Sequence, residues 1–233
     1  MKRKILLGVV VSILSFGIVG CQSSVKDNNK EVKEAYENLL NKEKKYEYVK
    51  EVLSDGLYTE EYRHIPNRMY RLDAYNKDNK LESRDIGNEK EFTSLFKDEN
   101  GEWIGYKEEY ADSVIKENEK RNSTSVIDSA CRKNISSIID NDYVSKEKVD
   151  GLIVYSDDKN NFVYVDPNTN MISKVKFSEK NKDNIIEYEF KTSDNIDKKD
   201  LSINASNKEN IDLSKIKIED RGKQEGMEGT SVG

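Results

Sequence analysis

Phe162-Val163-Tyr164-Val165-Asp166-Pro167-Asn168-Thr169-Asn170-Met171-Ile172-Ser173-Lys174-Val175-Lys176-Phe177 reads as a β-hairpin. Its first arm is apolar on both faces, so it belongs inside a sheet. The second arm alternates apolar residues with Ser173, Lys174 and Lys176, so one of its faces is wet. Asp166 to Asn170 is turn chemistry throughout. Working outward, Gly151–Ser156, Asn161–Asp166, Met171–Ser178 and Asn184–Lys191 form an antiparallel meander. Its turns fall at 157–160, 167–170 and 179–183. Leu152–Tyr155 and Phe162–Val165, apolar on both faces, are expected to be central strands.

Upstream of the meander the period changes. Val126, Ile127, Ala130, Cys131, Ile135, Ile138 and Ile139 lie near one helical face, which predicts a helix over 125–139. Ser123, Thr124 or Ser125 would cap it. A second helix is expected over 109–120. Between Lys45 and Lys107 the pattern is strand-like again. Strands are expected from Tyr46, at Leu57–Arg63, Arg68–Tyr75 and Phe92–Phe96, and at Trp103–Tyr106. Asp55-Gly56 and Asp98-Glu99-Asn100-Gly101 are hairpin turns. Val32, Ala35, Tyr36, Leu39 and Leu40 form a helical stripe over 31–42. After Thr192 the chain is polar, with one edge strand expected over 211–218 and a Gly-rich, disordered tail over 219–233. The fold class is therefore α+β, in one domain over 31–218.

The amino terminus is of a different kind. Met1-Lys2-Arg3-Lys4 is cationic, and Ile5 to Gly20 carries no charge. That run is shorter than the ~20 residues of a membrane span and turns polar at once after Cys21. Ile18-Val19-Gly20-Cys21 resembles the lipobox of bacterial lipoproteins. The resemblance implies a signal peptide over 1–20, acylation of Cys21, and a flexible tether over 21–30. It also implies attachment to the outer face of a membrane, where each buried methylene contributes ~0.8 kcal/mol.

Composition narrows the function classes. The chain is 35% hydrophobic and 36% charged, so its core must be modest. Loss of Lys2, Arg3 and Lys4 takes the net charge from -6 to -9. An exported acidic chain of this kind is not expected to bind nucleic acid. With Cys21 acylated, Cys131 has no intrachain disulfide partner. His64, the single histidine, excludes a zinc site built on several histidines. No cofactor is expected.

The order of helix, antiparallel strands, central helix and meander resembles the fold shared by the lipoprotein carrier LolA, its receptor LolB and the sensor RseB. The Asp-Pro hairpin quoted above and Asn67-Arg68-Met69-Tyr70-Arg71-Leu72-Asp73 carry the likeness. It implies a curved antiparallel sheet, or half-barrel, with helices across its concave face. The Lys, Asn, Ile and Glu-rich composition and the lipobox are further similar to clostridial-type lipoproteins such as the germination lipoprotein GerS. That likeness implies a non-catalytic protein that binds a cell-wall (spore cortex) amidase. The LolA branch implies instead a carrier or receptor for lipid or acyl chains.

Candidate binding residues follow from one cluster. Tyr62, Arg63, Arg68, Tyr70 and Arg71 interleave aromatic and basic groups, fit to grip an acidic or glycan partner by stacking and charge. Alternation along two strands also produces this pattern, with Tyr inward and Arg outward. Trp103 and Tyr106 near a turn are open to the same two readings. His64 beside Glu60 and Glu61 is expected to be a loop residue rather than a catalyst, and Cys131 a small hydrophobe on a helix face. No carboxylate pair stands out for glycosidase chemistry. The partners expected are a membrane, through the lipid, and a protein of the cell envelope, with a homodimer also compatible.

Overall fold

The computed structural model describes residues 24–53, 55–178, 185–192, 198–203, 205 and 212–224. Cys21, the expected signal peptide over 1–20 and the expected turn at 179–183 lie outside them. The architecture is α+β: a large, curved, open and mostly antiparallel sheet with a few helices.

Twelve strands form the sheet among the described residues. They are β1 (Tyr46–Val52), β2 (Tyr58–His64), β3 (Met69–Tyr75), β4 (Leu81–Gly87), β5 (Glu91–Lys97), β6 (Trp103–Glu109), β7 (Tyr143–Val149), β8 (Leu152–Asp157), β9 (Phe162–Asp166), β10 (Met171–Ser178), β11 (Ile185–Thr192) and β12 (Ile218–Lys223). Their order is β12-β6-β5-β4-β3-β2-β1-β11-β10-β9-β8-β7. Two meanders, β1–β6 and β7–β11, thus join through the pair β1–β11. Only β12 runs parallel to its neighbour, β6.

The expected turns that fall within the described residues are present. Gly56 and Gly101 take positive φ in their hairpins, and Asn170 does so in the Asp-Pro turn at φ 50°. The strands β8 and β9 are interior but not central, because β7 covers them on one side. Two strands were not legible in the pattern. β4 turns Arg84 inward where an apolar residue is the norm, and β7 buries only Tyr143 of its seven residues.

Helix α1 spans Val25–Asn41, so 25–30 is helix rather than tether. Ser24 caps it, accepting from the Asp27 amide at 3.2 Å. Asn28 Nδ2 donates to the Tyr143 carbonyl at 2.9 Å, and the Tyr143 amide donates to Asn29 Oδ1 at 2.8 Å. These bonds fix the start of α1 beside the start of β7. Helix α2 spans Asp112–Asn122, shifted toward the carboxyl side of its expected range.

The helix expected over 125–139 is three pieces: α3 (Val126–Ala130), a π-helical turn (Cys131–Ile135) and α4 (Ser136–Ile139). The cause is spacing. Ile127, Cys131 and Ile135 follow one another at intervals of four, which overshoots an α-helical turn by about 40° each time. The wider π turn brings all three back onto the sheet, and all three are fully buried.

One hydrophobic core lies under these helices. Val32, Ala35 and Leu39 of α1 pack with Ile127, Cys131, Ile135 and Ile139 against Val49, Val163, Val175, Tyr188 and Phe190. A second, smaller core gathers Tyr58, Tyr75, Leu81 and Leu95 around Leu213. The edge strand expected over 211–218 is placed later. Leu213–Lys215 is a 3-10 turn and the strand begins at Ile218, so 219–223 of the expected tail is β-structure. Residues 225–233 lie outside the described part.

Candidate functional site

Cross-strand register sorts the side chains onto two faces. Val49 of β1 pairs with Glu61 of β2, which pairs with Leu72 of β3, then Asp85 of β4, Ser94 of β5 and Tyr106 of β6. These residues share the face that carries the helices. Tyr48, Tyr62, Arg71, Ile86 and Thr93 form the adjacent row on the opposite face. The two cores therefore lie on opposite sides of one sheet. The helices cover β1 and β7–β11 on one side. The segment after residue 198 covers β2–β5 on the other.

The five residues read as a binding cluster are divided by this arrangement. Tyr62 and Arg71 pair on the segment-covered face, and Arg63 and Tyr70 pair on the helical face. Arg68 sits between the strands with φ 53°. Arg71 is buried, its guanidinium 3.8 Å above the Tyr62 ring, and it donates to the Asp200 carbonyl. Its Nε lies 3.3 Å from Asp73 Oδ2 without hydrogen-bond geometry. Arg63 holds Glu61 at 2.6 Å and donates to the carbonyls of Arg121 and Thr124, tying β2 to the end of α2. Arg68 reaches Glu119 of α2 at 3.0 Å. The Tyr70 and Tyr110 hydroxyls are 3.2 Å apart. The five do not form one exposed patch. Nor do they follow simple alternation, since the arginine at 71 points inward.

Beside Arg71 lies a pair that the sequence did not single out. Arg84 donates to both oxygens of Asp73, at 2.7 and 2.6 Å, and both side chains are fully buried. Its remaining nitrogen donates to the carbonyls of Ile203 and Ala205 at 3.0 and 2.7 Å. Tyr75 adds a hydroxyl to Asp73 at 3.2 Å. This network clamps the carboxy-terminal segment to the sheet, with Leu201 and Ala205 buried beside it.

The open surface is the helical face of β3–β6, beyond the reach of α1, α3 and α4. Half-exposed Phe92, Phe96, Tyr106 and Tyr110 form an aromatic group there. Phe92 stacks on Tyr110 at 5.0 Å and meets Tyr106 edge-on at 5.8 Å. Asp85 lies in the same row, accepting from Ser94 Oγ at 2.6 Å. Burial pushes its carboxyl above the usual range, and Asp73 adds to the rise. At the rim, under α2, Asn118 Nδ2 and both polar atoms of Asn122 are buried without a hydrogen-bond partner among the described residues. Of the four aromatic residues, the sequence singled out only Tyr106, with Trp103; that the helices stop short of Phe92 and Phe96 was not visible in it.

The other candidates have structural roles. The ring of His64 stacks on Tyr46 at 4.3 Å across β1–β2, in a strand rather than a loop. Cys131 is fully buried and its thiol is pushed up to about 12. Trp103 is half-buried against the second core, with Lys97 over its ring at 5.4 Å. Among the described residues no group of three or more His, Cys, Asp and Glu side chains could hold a metal ion. No described helix is long and apolar enough to cross a membrane.

No protein-family model matches the chain, and no curated protein matches it. Among solved structures it aligns with an uncharacterized conserved protein from Thermus thermophilus, at 11% identity and a TM-score of 0.34. That alignment covers 84% of this chain and 99% of the other.

Proposed function

We propose that this chain is a non-catalytic binding lipoprotein, exported and held on the outer face of a membrane by lipid on Cys21. Its sheet is read as a half-barrel of the LolA type, and a cell-envelope protein docks on the open helical face. The observation that carries this reading is the half-exposed aromatic group of Phe92, Phe96, Tyr106 and Tyr110 beside Asp85, with the Arg221 guanidinium of β12 lying 4.1 Å over the Tyr106 ring. Aromatic residues at a surface of this kind supply most of the energy of a protein interface. Arg63 and Arg68 then act by holding α2 at the rim of that surface, rather than by touching the partner. The resemblance to germination lipoproteins makes a cell-wall amidase the partner to try first.

The test is capture from envelope extract by the full protein, wild type against the Phe92→Ala, Tyr106→Ala double variant. Lys176→Ala on the opposite face serves as control. Loss of one captured protein with the double variant alone is the expected result. Equal capture by all three would overturn the reading. Release of fragments from purified wall material by the protein alone would overturn its non-catalytic part.

One observation favours a second reading, a lipid or acyl-chain receptor. A cavity of about 450 Å³ lies where the hairpins β1–β2 and β3–β4 end, lined by Leu53, Leu57, Tyr58 and Tyr75, with Glu51 and Glu82 also in its wall. Native mass spectrometry of the extracted protein decides it. A bound lipid beyond the covalent one is required by this reading.

A further inference from the structure

The exposed apolar side chains of this protein are concentrated at one end of the sheet. Antiparallel pairing fixes which strand ends lie together. The close of β1, the start of β2, and the starts of β6, β7, β11 and β12 share one end. Leu53 and Leu57 flank the β1–β2 turn there, each 43% exposed. Ile185 and Ile218 are the first residues of β11 and β12, and Ile104 and Val144 are the second residues of β6 and β7. Val25 opens α1, which the Asn28 and Asn29 bonds hold beside the start of β7. Of the eight large hydrophobic residues exposed among the described residues, seven are at this end, and only Val149 is at the other.

The chain leads to this same end. Ser24 precedes α1 there, and Cys21 is three residues before it, no more than about 11 Å away when extended. We infer that this end of the sheet lies against the lipid bilayer, with its apolar rim in the interface. The inference rests on the lipid-anchor reading above and deepens it. Anchoring alone would let the domain tumble; apolar residues along the same rim, from Val25 and Val144 beside the anchor to Ile104 and Ile218 at the other edge of the sheet, fix one orientation. The apolar cavity at Leu53 and Leu57 opens into the same surface. Contact is driven by apolar burial rather than charge, because the turns at this end carry Asp55, Asp98, Glu99 and Asp158 among scattered lysines. It leaves the Arg63 and Arg68 end, with α2, pointing away from the membrane.

Trp103, the single tryptophan, is the first residue of β6 and so a built-in reporter at this end. The experiment reconstitutes the full lipidated protein in phosphatidylcholine vesicles whose acyl chains carry bromine, and reads Trp103 fluorescence. Intact mass of the same sample reads acylation independently. The expected result is an acylated protein whose Trp103 is quenched at least twofold relative to unbrominated vesicles. Quenching should fall by half or more in the Leu53→Ser, Leu57→Ser variant with circular dichroism unchanged. An acylated protein with unquenched Trp103, or quenching unaffected by the double variant, overturns the contact while the anchor stands. Quenching of a protein that carries no acyl group supports the contact and overturns the lipoprotein reading.

Discussion

Replacing Arg84 with Met should remove the clamp that holds the carboxy-terminal segment to the sheet, and the size of the loss can be worked from its contacts. Arg84 and Asp73 are both fully buried and joined by two short hydrogen bonds. Breaking a buried pair by removing one partner typically costs ~3–5 kcal/mol, because the other charge is left behind. Asp73 keeps Tyr75 and the nearby Arg71, which places the loss at the lower end. The carbonyls of Ile203 and Ala205 lose their donor, adding about 1 kcal/mol. A total of about 4 kcal/mol corresponds to a drop in Tm of roughly 10 °C for a domain of this size. Urea titration gives the stability change, and hydrogen exchange gives its location. Amides 199–203 should lose protection well before the strands β7–β10. A stability loss under about 1 kcal/mol, or unchanged exchange at 199–203, would refute the reasoning.

Three other outcomes are expected. Glu47 is buried and accepts from the Ser125 hydroxyl and, at 2.7 Å, from the Val126 amide, so it joins β1 to the start of α3; Glu47→Ala should cost about 2 kcal/mol in urea titration, by leaving those donors unpaired. Asp85 has a raised folded pKa, so its contribution to stability is present below its unfolded value of about 4 and is lost as pH rises through the folded value. Asp85→Asn should therefore raise the urea midpoint at pH 7 and give a much smaller gain at pH 4; equal gains at both would contradict the assignment. Gly87→Ala places a methyl group 2.4 Å from the Glu91 carbonyl and 2.8 Å from Phe92 Cβ, within the β4–β5 hairpin. Its backbone neighbours cannot retreat cheaply, and a lower thermal midpoint is expected.

What the sequence disclosed and withheld has a physical cause. The Asp-Pro hairpin, the α1 stripe and the Asp98–Gly101 turn were legible because local chemistry decides them. β4 was hidden because its inward face relies on Arg84, and an arginine can be buried only when the neighbouring strand supplies Asp73 in register and a distant segment supplies carbonyls. β7 was hidden because an edge strand with one buried residue has no period to show. The binding cluster at 62–71 was read from its composition. Its true division follows from register, Tyr62 with Arg71 on one face and Arg63 with Tyr70 on the other. The aromatic group at Phe92 and Tyr106 depends on where three helices stop, which no local pattern records.

The measurement that bears most directly on the central claim is site-specific photo-crosslinking in intact cells. A photoreactive amino acid at Phe92 samples the open helical face, and one at Lys176 samples the opposite face of the same sheet. A single protein adduct from position 92, absent from 176, is the predicted result, and its mass names the partner. Adducts of the same pattern from both positions, or from 176 alone, would contradict a docking site on the helical face.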